Sequence, residues 1–199
     1  TREFVLIDNL FISNSIDFFL CFSSLGRVYW IKVYNVPQGS RTSRGRPVNN
    51  LVPLEQNEKI NAVLPVKSFD DTRYVFMSTA GGTVKKTPLS EFSRPRTNGI
   101  IAIDLDEGDY LIGVALTEGK HDVMLFSDAG KAMRFDENDV RPTGRNARGV
   151  RGMKLGAGQQ VISLLVADNE NMAVLTATEN GYGKRTPITE YTRHNRGTQ

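Results

Sequence analysis

The sequence is poor in two residue types that build many functional sites. Its 199 residues include one cysteine, Cys21, and two histidines, His121 and His194. A single cysteine excludes an internal disulfide, and no cysteine–histidine grouping has the spacing of a zinc site. Cys21 lies within an apolar run, so we interpret it as a buried, unreactive thiol, which fits a reducing cytoplasm.

Long hydrophobic runs are also missing. No stretch approaches the roughly 20 apolar residues that span a bilayer, and no basic-then-apolar leader is visible. We therefore expect no membrane partner and a cytoplasmic location. The sequence begins at Thr1 without a methionine and stops at Gln199 within a repeating pattern, so we expect a fragment that lacks a first and a last repeat.

Residue groupings typical of catalysis are scarce as well. The two histidines lie in different loops without a partner at suitable spacing, and we interpret both as surface residues. The carboxylates from Asp104 to Asp109 resemble a calcium loop only loosely, because their glycine and ligand spacing are wrong. Tyr182 and Tyr191 have no nearby base and are interpreted as packing residues. We predict no catalytic residues, no metal site and no cofactor in this chain.

What the sequence does contain is a repeat. Four apolar segments begin about 50 residues apart, at Leu10–Ser13, Ile60–Leu64, Leu111–Leu116 and Val161–Val166. Each is followed by a second apolar segment and then by a turn glycine, at Gly26, Gly82, Gly130 and Gly181. The residue four positions after this glycine is Trp30, Lys86, Arg134 and Arg185 in turn. Features that keep one period indicate consecutive copies of one structural unit.

Each copy is predicted to fold as four strands. β-Branched and aromatic runs bounded by turn residues indicate the strands, and the fourth ones are expected at Val48–Leu54, Ile100–Leu105 and Val150–Leu155. Four strands in about 50 residues are typical of a propeller blade, and such blades must stack to bury their faces. We predict an all-β, propeller-like disc with repeats at about 5–55, 56–107, 108–158 and 159–199. A doubly wound α/β fold is excluded because no segment shows sustained helical periodicity.

Charge is segregated within each repeat. The loop between the first and second strands is acidic, with Asp17, Asp70, Asp71, Glu118, Asp122, Asp168 and Glu170. The loop after the third strand is basic and is interpreted as free of acids. Because equivalent loops lie at equivalent places around a disc, these cations are expected to form an arc. The candidate DNA-binding residues are Arg41, Arg44, Arg46, Lys85, Lys86, Arg94, Arg96, Lys131, Arg134, Arg145, Arg148, Arg151, Lys184, Arg185, Arg193 and Arg196.

An arc of cations at regular intervals suits duplex DNA, which carries one negative charge per about 1.7 Å of axis. Few aromatic residues lie among the arginines, so base stacking on single strands is poorly supported. The pattern offers no recognition helix for the major groove, and the expected binding is therefore independent of sequence. Two other classes stay open: a protein-interaction propeller using exposed residues such as Trp30 and Tyr34, and a propeller hydrolase with acids near its axis.

The chain resembles the C-terminal domain of the bacterial DNA gyrase A protein over essentially its full length. The resemblance is carried by Cys21–Tyr29, Thr83–Thr87, Val123–Ser127, Gly149–Gly152 and Asn180–Thr186. It implies a β-pinwheel, a disc whose blades exchange strands with their neighbours, with four of six blades present. It also implies that the disc wraps duplex DNA around its outer edge and so supports ATP-dependent negative supercoiling by the parent gyrase, a type IIA topoisomerase. The implied partners are the N-terminal part of the gyrase A protein, its dimer mate and the gyrase B protein.

One motif of that family is missing. The signature box Gln-Arg-Arg-Gly-Gly-Lys-Gly does not occur, and Ser43–Arg46 and Ala147–Val150 are at best degenerate relatives of it. The box would lie in a blade that precedes Thr1, which fits a truncated chain. Its absence leaves the corresponding C-terminal domain of topoisomerase IV open as an alternative.

Overall fold

The computed structural model describes residues 10–40 and 43–198, and within these ranges the regular structure is made of strands and short 3-10 helices. The strands are β1 (Phe18–Ser23), β2 (Arg27–Lys32), β3 (Ile60–Val66), β4 (Tyr74–Thr79), β5 (Thr83–Pro88), β6 (Ile100–Ile101), β7 (Leu111–Thr117), β8 (Asp122–Ser127), β9 (Ala132–Asp136), β10 (Val150–Arg151), β11 (Val161–Ala167), β12 (Ala173–Ala177) and β13 (Gly183–Pro187). The 3-10 helices are Val33–Asn35, Val48–Asn50, Leu89–Phe92, Glu137–Asp139 and Ile188–Glu190.

The strands form four antiparallel sheets. The first has the order β3-β1-β2-β6, the second β10-β5-β4-β7, the third β11-β8-β9, and the fourth is the hairpin β12-β13. Each sheet contains the second and third strands of one repeat as neighbours, joined by the predicted glycine turn. The all-β architecture predicted from the repeat is confirmed.

The strands of one sequence repeat are divided between two sheets. β3, which opens the second repeat, pairs with β1 of the first, so that Val63 lies opposite Cys21. β6, near the end of the second repeat, pairs with β2 at the other edge, with Ile100 opposite Val28. β7 and β10 pair with β4 and β5 in the same way. This is the exchange between neighbours that the resemblance implied, and it joins each sheet covalently to the next.

The strands that each sheet receives from the following repeat define an inner and an outer side of the set of sheets. β7 contacts both β3 and β11, so these strands lie side by side along the inner side. β6 and β10 occupy the opposite edges of their sheets. Apolar side chains fill the space between successive sheets; Phe22 of the first sheet, for example, packs against Phe92 with ring centroids 5.8 Å apart.

Two predicted strands are absent from the described residues. Leu10–Ser13 has no regular structure, and Val48–Leu54 forms a 3-10 helix followed by a turn. The two fourth strands that do form, β6 and β10, have two residues each and pair with the third strand of the preceding repeat. No strand precedes β1 in the described ranges, and Val52 instead packs on the first sheet beside Cys21. Cys21 is buried as predicted, and burial raises the pKa of its thiol to about 12.

Candidate nucleic-acid interface

The arginine-rich loops run along the outer edges of three successive sheets. In the first sheet, Arg27 Nη2 of β2 donates to Asn98 O at 2.6 Å. In the second, Thr143 N donates to Lys86 O of β5 at 2.9 Å, and in the third, His194 N donates to Arg134 O of β9 at 2.8 Å. We call the predicted DNA-binding arginines that lie in these loops or directly after them in β10 the basic edge, which comprises Arg94, Arg96, Arg145, Arg148, Arg151, Arg193 and Arg196.

Three members of the basic edge have unoccupied guanidinium groups. The side chains of Arg94, Arg96 and Arg151 are exposed and make no hydrogen bond or ion pair within the described residues. Each loop ends in a glycine with positive φ; at Gly149 φ is +94°, and a Cβ there would lie 2.5 Å from Val84 O. The close approach to β5 therefore requires glycine at this position, and it presents the flanking arginines at the outer surface.

The other arginines of the basic edge have internal partners. Arg148 Nε donates to Asp104 Oδ2 at 2.9 Å and its Nη1 to Asp106 Oδ1 at 3.2 Å, and these carboxylates raise the pKa of Arg148. Arg196 Nε donates to Asp139 O at 2.7 Å, whereas Arg145 Nε lies 3.8 Å from a Glu91 carboxylate oxygen. A phosphate reaching these groups would compete with the existing contacts.

Arg193 is tied to the fold more firmly. Its Nη2 lies 2.5 Å from Asp122 Oδ1, and its Nη1 lies 3.5 Å from Asp136 Oδ2. Asp122 is buried and begins β8, although it was assigned to the acidic loop between the first and second strands. The Arg193 side chain remains 55% exposed, so one side of the guanidinium still faces the solvent.

Three predicted DNA-binding residues are inside the protein. Lys85, Lys86 and Arg134 are 0%, 2% and 7% exposed, so the prediction that they line an outer arc is wrong. They lie in β5 and β9, which have another strand or an edge loop on each side and a neighbouring sheet across their faces. Lys85 Nζ donates to Ala102 O at 2.8 Å and to Arg145 O, which fixes the loop that carries Arg145.

The repeated cation of the third strand connects one sheet to the next. Lys86 Nζ lies 2.9 Å from Glu137 Oε2, and Arg134 Nη1 donates to Ile188 O at 3.0 Å. In each case the partner lies in the 3-10 helix of the following repeat: Glu137 in the helix after β9, and Ile188 in the helix after β13. Arg134 also pairs with Asp122 at 2.6 Å and with Glu170.

In the first repeat Trp30 occupies the same position. Its Nε1 donates to Phe92 O of the next 3-10 helix at 2.9 Å. The side chain is half-buried and serves the same connection, which weakens its interpretation as an exposed interaction residue. Trp30 stands at the repeat position that Lys86 and Arg134 occupy in the next two repeats. An aromatic residue at this position was the sequence signal that the position faces inwards. Tyr34, the other candidate, is 65% exposed.

The remaining candidate cations lie outside the basic edge. Arg44, Arg46, Lys184 and Arg185 are exposed, and Lys131 is half-buried on the turn between β8 and β9. Arg41 lies outside the described residues. Arg185 occupies the position equivalent to Lys86 and Arg134 in the last repeat, but no described sheet covers it.

The basic loops are not free of acids. The 3-10 helices that begin the connections after β5, β9 and β13 contain Glu91, Glu137, Asp139 and Glu190. Glu137 is buried against Lys86, whereas Glu91, Asp139 and Glu190 are exposed. The acid-free stretches therefore begin only after these helices.

The two histidines lie in different environments. His121 is buried, contrary to its interpretation as a surface residue, with Nδ1 3.1 Å from Asp168 Oδ1, whereas His194 is exposed. Within the described ranges, no cluster of three or more His, Cys, Asp or Glu side chains could hold a metal ion. In the same part of the chain no helix has the length and apolarity needed to cross a membrane.

Comparison with known proteins identifies relatives along the whole chain. The DNA gyrase A protein of Klebsiella oxytoca is 58% identical and that of Escherichia coli (strain K12) is 54% identical, each over 198 residues. These alignments cover 100% of this chain but 22% of each relative, so the chain spans about a fifth of their length.

Solved structures agree with this fold. The C-terminal domain of DNA topoisomerase IV superposes with a TM-score of 0.86 at 28% identity, covering 93% of this chain and 58% of that one. The DNA gyrase A C-terminal domain gives 0.77 at 29% identity, covering 93% and 59%. The much higher identity to the gyrase A proteins favours gyrase over the topoisomerase IV alternative.

A family model also matches most of the chain. The model described as "DNA gyrase C-terminal domain, beta-propeller" matches residues 17–67, 73–118, 121–168 and 173–199. The resemblance stated from the sequence and the propeller-like fold are thereby confirmed, and the chain belongs to the DNA gyrase C-terminal domain family.

Proposed function

We propose that this chain binds duplex DNA without sequence specificity and wraps it along the basic edge. The observation that carries the proposal is the equivalent placement of arginine-rich loops on the outer edges of three consecutive sheets. Arg94, Arg96 and Arg151 offer guanidinium groups that have no internal partner among the described residues. Guanidinium groups pair with phosphate oxygens in a bidentate geometry, and such contacts position DNA without reading its bases.

Wrapping along the edge of a disc bends the DNA. Bending a site of 20–30 base pairs by 40–90° costs roughly 1–6 kcal/mol, so several phosphate contacts must offset it. Because each contact releases counterions, affinity should fall steeply with salt, by about 10³–10⁵ between 50 and 200 mM if six to ten phosphates are engaged.

The parent protein supplies the wider role. As part of a gyrase A protein, the chain would deliver wrapped DNA to the rest of the enzyme and thereby support ATP-dependent negative supercoiling. Its partners would be the N-terminal part of the gyrase A protein, the dimer mate and the gyrase B protein, in the bacterial cytoplasm and associated with the nucleoid. This role assigns DNA positioning to the chain and leaves catalysis to other parts of the assembly.

Retention on immobilised duplex DNA tests the proposal. The triple variant Arg94→Gln, Arg96→Gln, Arg151→Gln should elute at clearly lower salt than the wild type, because three exposed cations are removed without breaking an internal contact. A variant of equal charge loss, Lys59→Gln, Lys67→Gln, Lys120→Gln, loses cations from exposed positions outside the basic edge, of which Lys120 alone gives up an ion pair within the described residues, the exposed one with Glu118. Elution of the two variants at the same salt concentration would contradict the proposal. If both variants elute at the same salt concentration as the wild type, a protein-interaction module is favoured.

A further inference from the structure

Arg148 is the member of the basic edge whose guanidinium is held by two carboxylates. Its Nε lies 2.9 Å from Asp104 Oδ2 and its Nη1 lies 3.2 Å from Asp106 Oδ1. The Arg148 side chain is 70% exposed, and those of Asp104 and Asp106 are 48% and 70% exposed. The ion pairs connect the segment after β6, at the edge of the first sheet, to the loop before β10, at the edge of the second.

The next repeat lacks this arrangement. Arg196 occupies the position equivalent to Arg148, and its side chain donates to the carbonyl oxygens of Asp139 and Arg151 instead of to carboxylates. Carbonyl groups leave the positive charge of the guanidinium uncompensated. The charge that is available to a phosphate therefore differs between two equivalent places on the same edge.

The difference originates in the turn after each short edge strand. The two turns align on glycines with positive φ, Gly108 at +79° and Gly158 at +73°. In this alignment the residues corresponding to Asp104 and Asp106 are Lys154 and Gly156. The repeat thus keeps the backbone of the turn while the residue equivalent to Asp104 changes from negative to positive.

We propose that Asp104 and Asp106 compete with DNA phosphate for the guanidinium of Arg148 and so set a lower DNA affinity at this sector than at the Arg196 sector. The inference rests on the proposed function. Paired carboxylate oxygens satisfy the guanidinium donors as phosphate oxygens do. Because exposed ion pairs are weak, a phosphate can displace the carboxylates, but the released acids then repel the DNA backbone.

Single substitutions test the competition against a neighbouring control. Asp104→Asn and Asp106→Asn each remove one charge and one partner of Arg148. Glu107→Gln removes the same charge from the next residue, which is exposed and makes no ion pair within the described residues. In a fluorescence anisotropy titration of duplex DNA, each Asp variant should bind roughly 2- to 5-fold more tightly than the Glu107 variant. The double Asp variant should also show a salt slope that is steeper by about 0.9, the equivalent of one phosphate contact.

A second background shows whether the gain depends on Arg148. In Arg148→Ala protein, Asp104→Asn and Asp106→Asn should improve affinity no more than Glu107→Gln does. A gain that persists without Arg148, or equal gains for Asp106→Asn and Glu107→Gln in the wild-type background, would overturn the competition while leaving DNA binding intact. A wild-type protein that does not bind duplex DNA at low salt would overturn the proposed function and the competition together.

Discussion

Lys86 and Glu137 form an ion pair across the junction of the second and third sheets, with Nζ and Oε2 2.9 Å apart and side chains only 2% and 0% exposed. The Lys86 ammonium also lies 4.4 Å from the centre of the Tyr74 ring, and it donates to Asn138 Oδ1 at 3.2 Å. The third-strand cation therefore connects neighbouring sheets. The proposed DNA-binding charge therefore lies in the loops and in the short edge strand β10.

Removing one member of this pair should destabilise the fold strongly. Lys86→Met leaves the Glu137 carboxylate buried without its partner, and we expect a loss of about 3–5 kcal/mol in the free energy of unfolding. Urea denaturation followed by circular dichroism measures the loss. The exposed pair Lys120–Glu118, at the same 2.9 Å, is the control, and Lys120→Met should cost at most about 1 kcal/mol. Comparable losses from the two variants would show that the Lys86 pair does not join the sheets.

The two arginine–glycine loops at Gly45 and Gly149 should respond differently to alanine. At Gly149, φ is +94° and a Cβ would lie 2.5 Å from Val84 O, so we expect Gly149→Ala to cost about 1–3 kcal/mol. At Gly45 no heavy atom lies within 4 Å of a Cβ, so Gly45→Ala should stay within about 0.5 kcal/mol of the wild type. Thermal unfolding of the two variants side by side measures the difference, and a neutral Gly149→Ala would contradict the close approach of this loop to β5.

Lys85 should make stability depend on pH in the alkaline range. Burial, and secondarily the charge of Arg145, lower the pKa of Lys85 from 10.5 to about 8. Between these values the unfolded chain binds a proton that the folded protein has released, so the contribution of Lys85 to the free energy of unfolding rises with pH. The cost of burying its charge is complete below pH 8 and is relieved towards pH 10.5.

The difference in the free energy of unfolding between the wild type and Lys85→Met isolates the contribution of Lys85. The stability of the wild type relative to Lys85→Met should increase by up to about 3 kcal/mol as the pH rises through that window. Urea denaturation at several pH values gives the difference, and the exposed Lys59→Met provides a baseline in which no such rise is expected. A difference that is flat with pH would mean that Lys85 titrates at its ordinary value.

The sequence predicted the hairpins well, because alternating apolar residues and turn glycines are local features that repeat with one period. The repeat alone did not predict which strands pair with them; the exchange between neighbours came from the family resemblance. β3 and β6 lie in the second repeat but complete the first sheet, and pairing over such separations depends on tertiary contacts. For the same reason Val48–Leu54 was predicted to be a strand, although no edge is available to it in the described chain.

The repeat predicted the placement of the arginine-rich loops at the sheet edges, but it did not predict which of the candidate cations are buried. Lysine and arginine are rarely buried, so Lys86 and Arg134 were assigned to the surface on general grounds. Their partners could not be recognised from periodicity, because the partner changes along the repeat from the Phe92 carbonyl to the Glu137 carboxylate and the Ile188 carbonyl. The exposed arginines of the loops need no specific partner, and their positions followed from the repeat alone.

The proposed function requires that the exposed arginines of the basic edge hold duplex DNA through its phosphates. A salt series of fluorescence anisotropy titrations with the wild type and with the Arg94→Gln, Arg96→Gln, Arg151→Gln variant measures these contacts. We expect the logarithm of the binding constant to fall linearly with the logarithm of salt concentration, and the slope of the variant to be shallower by up to about 2.7, which is 0.9 for each lost contact. A salt-independent wild-type affinity, or identical slopes for the two proteins, would contradict it.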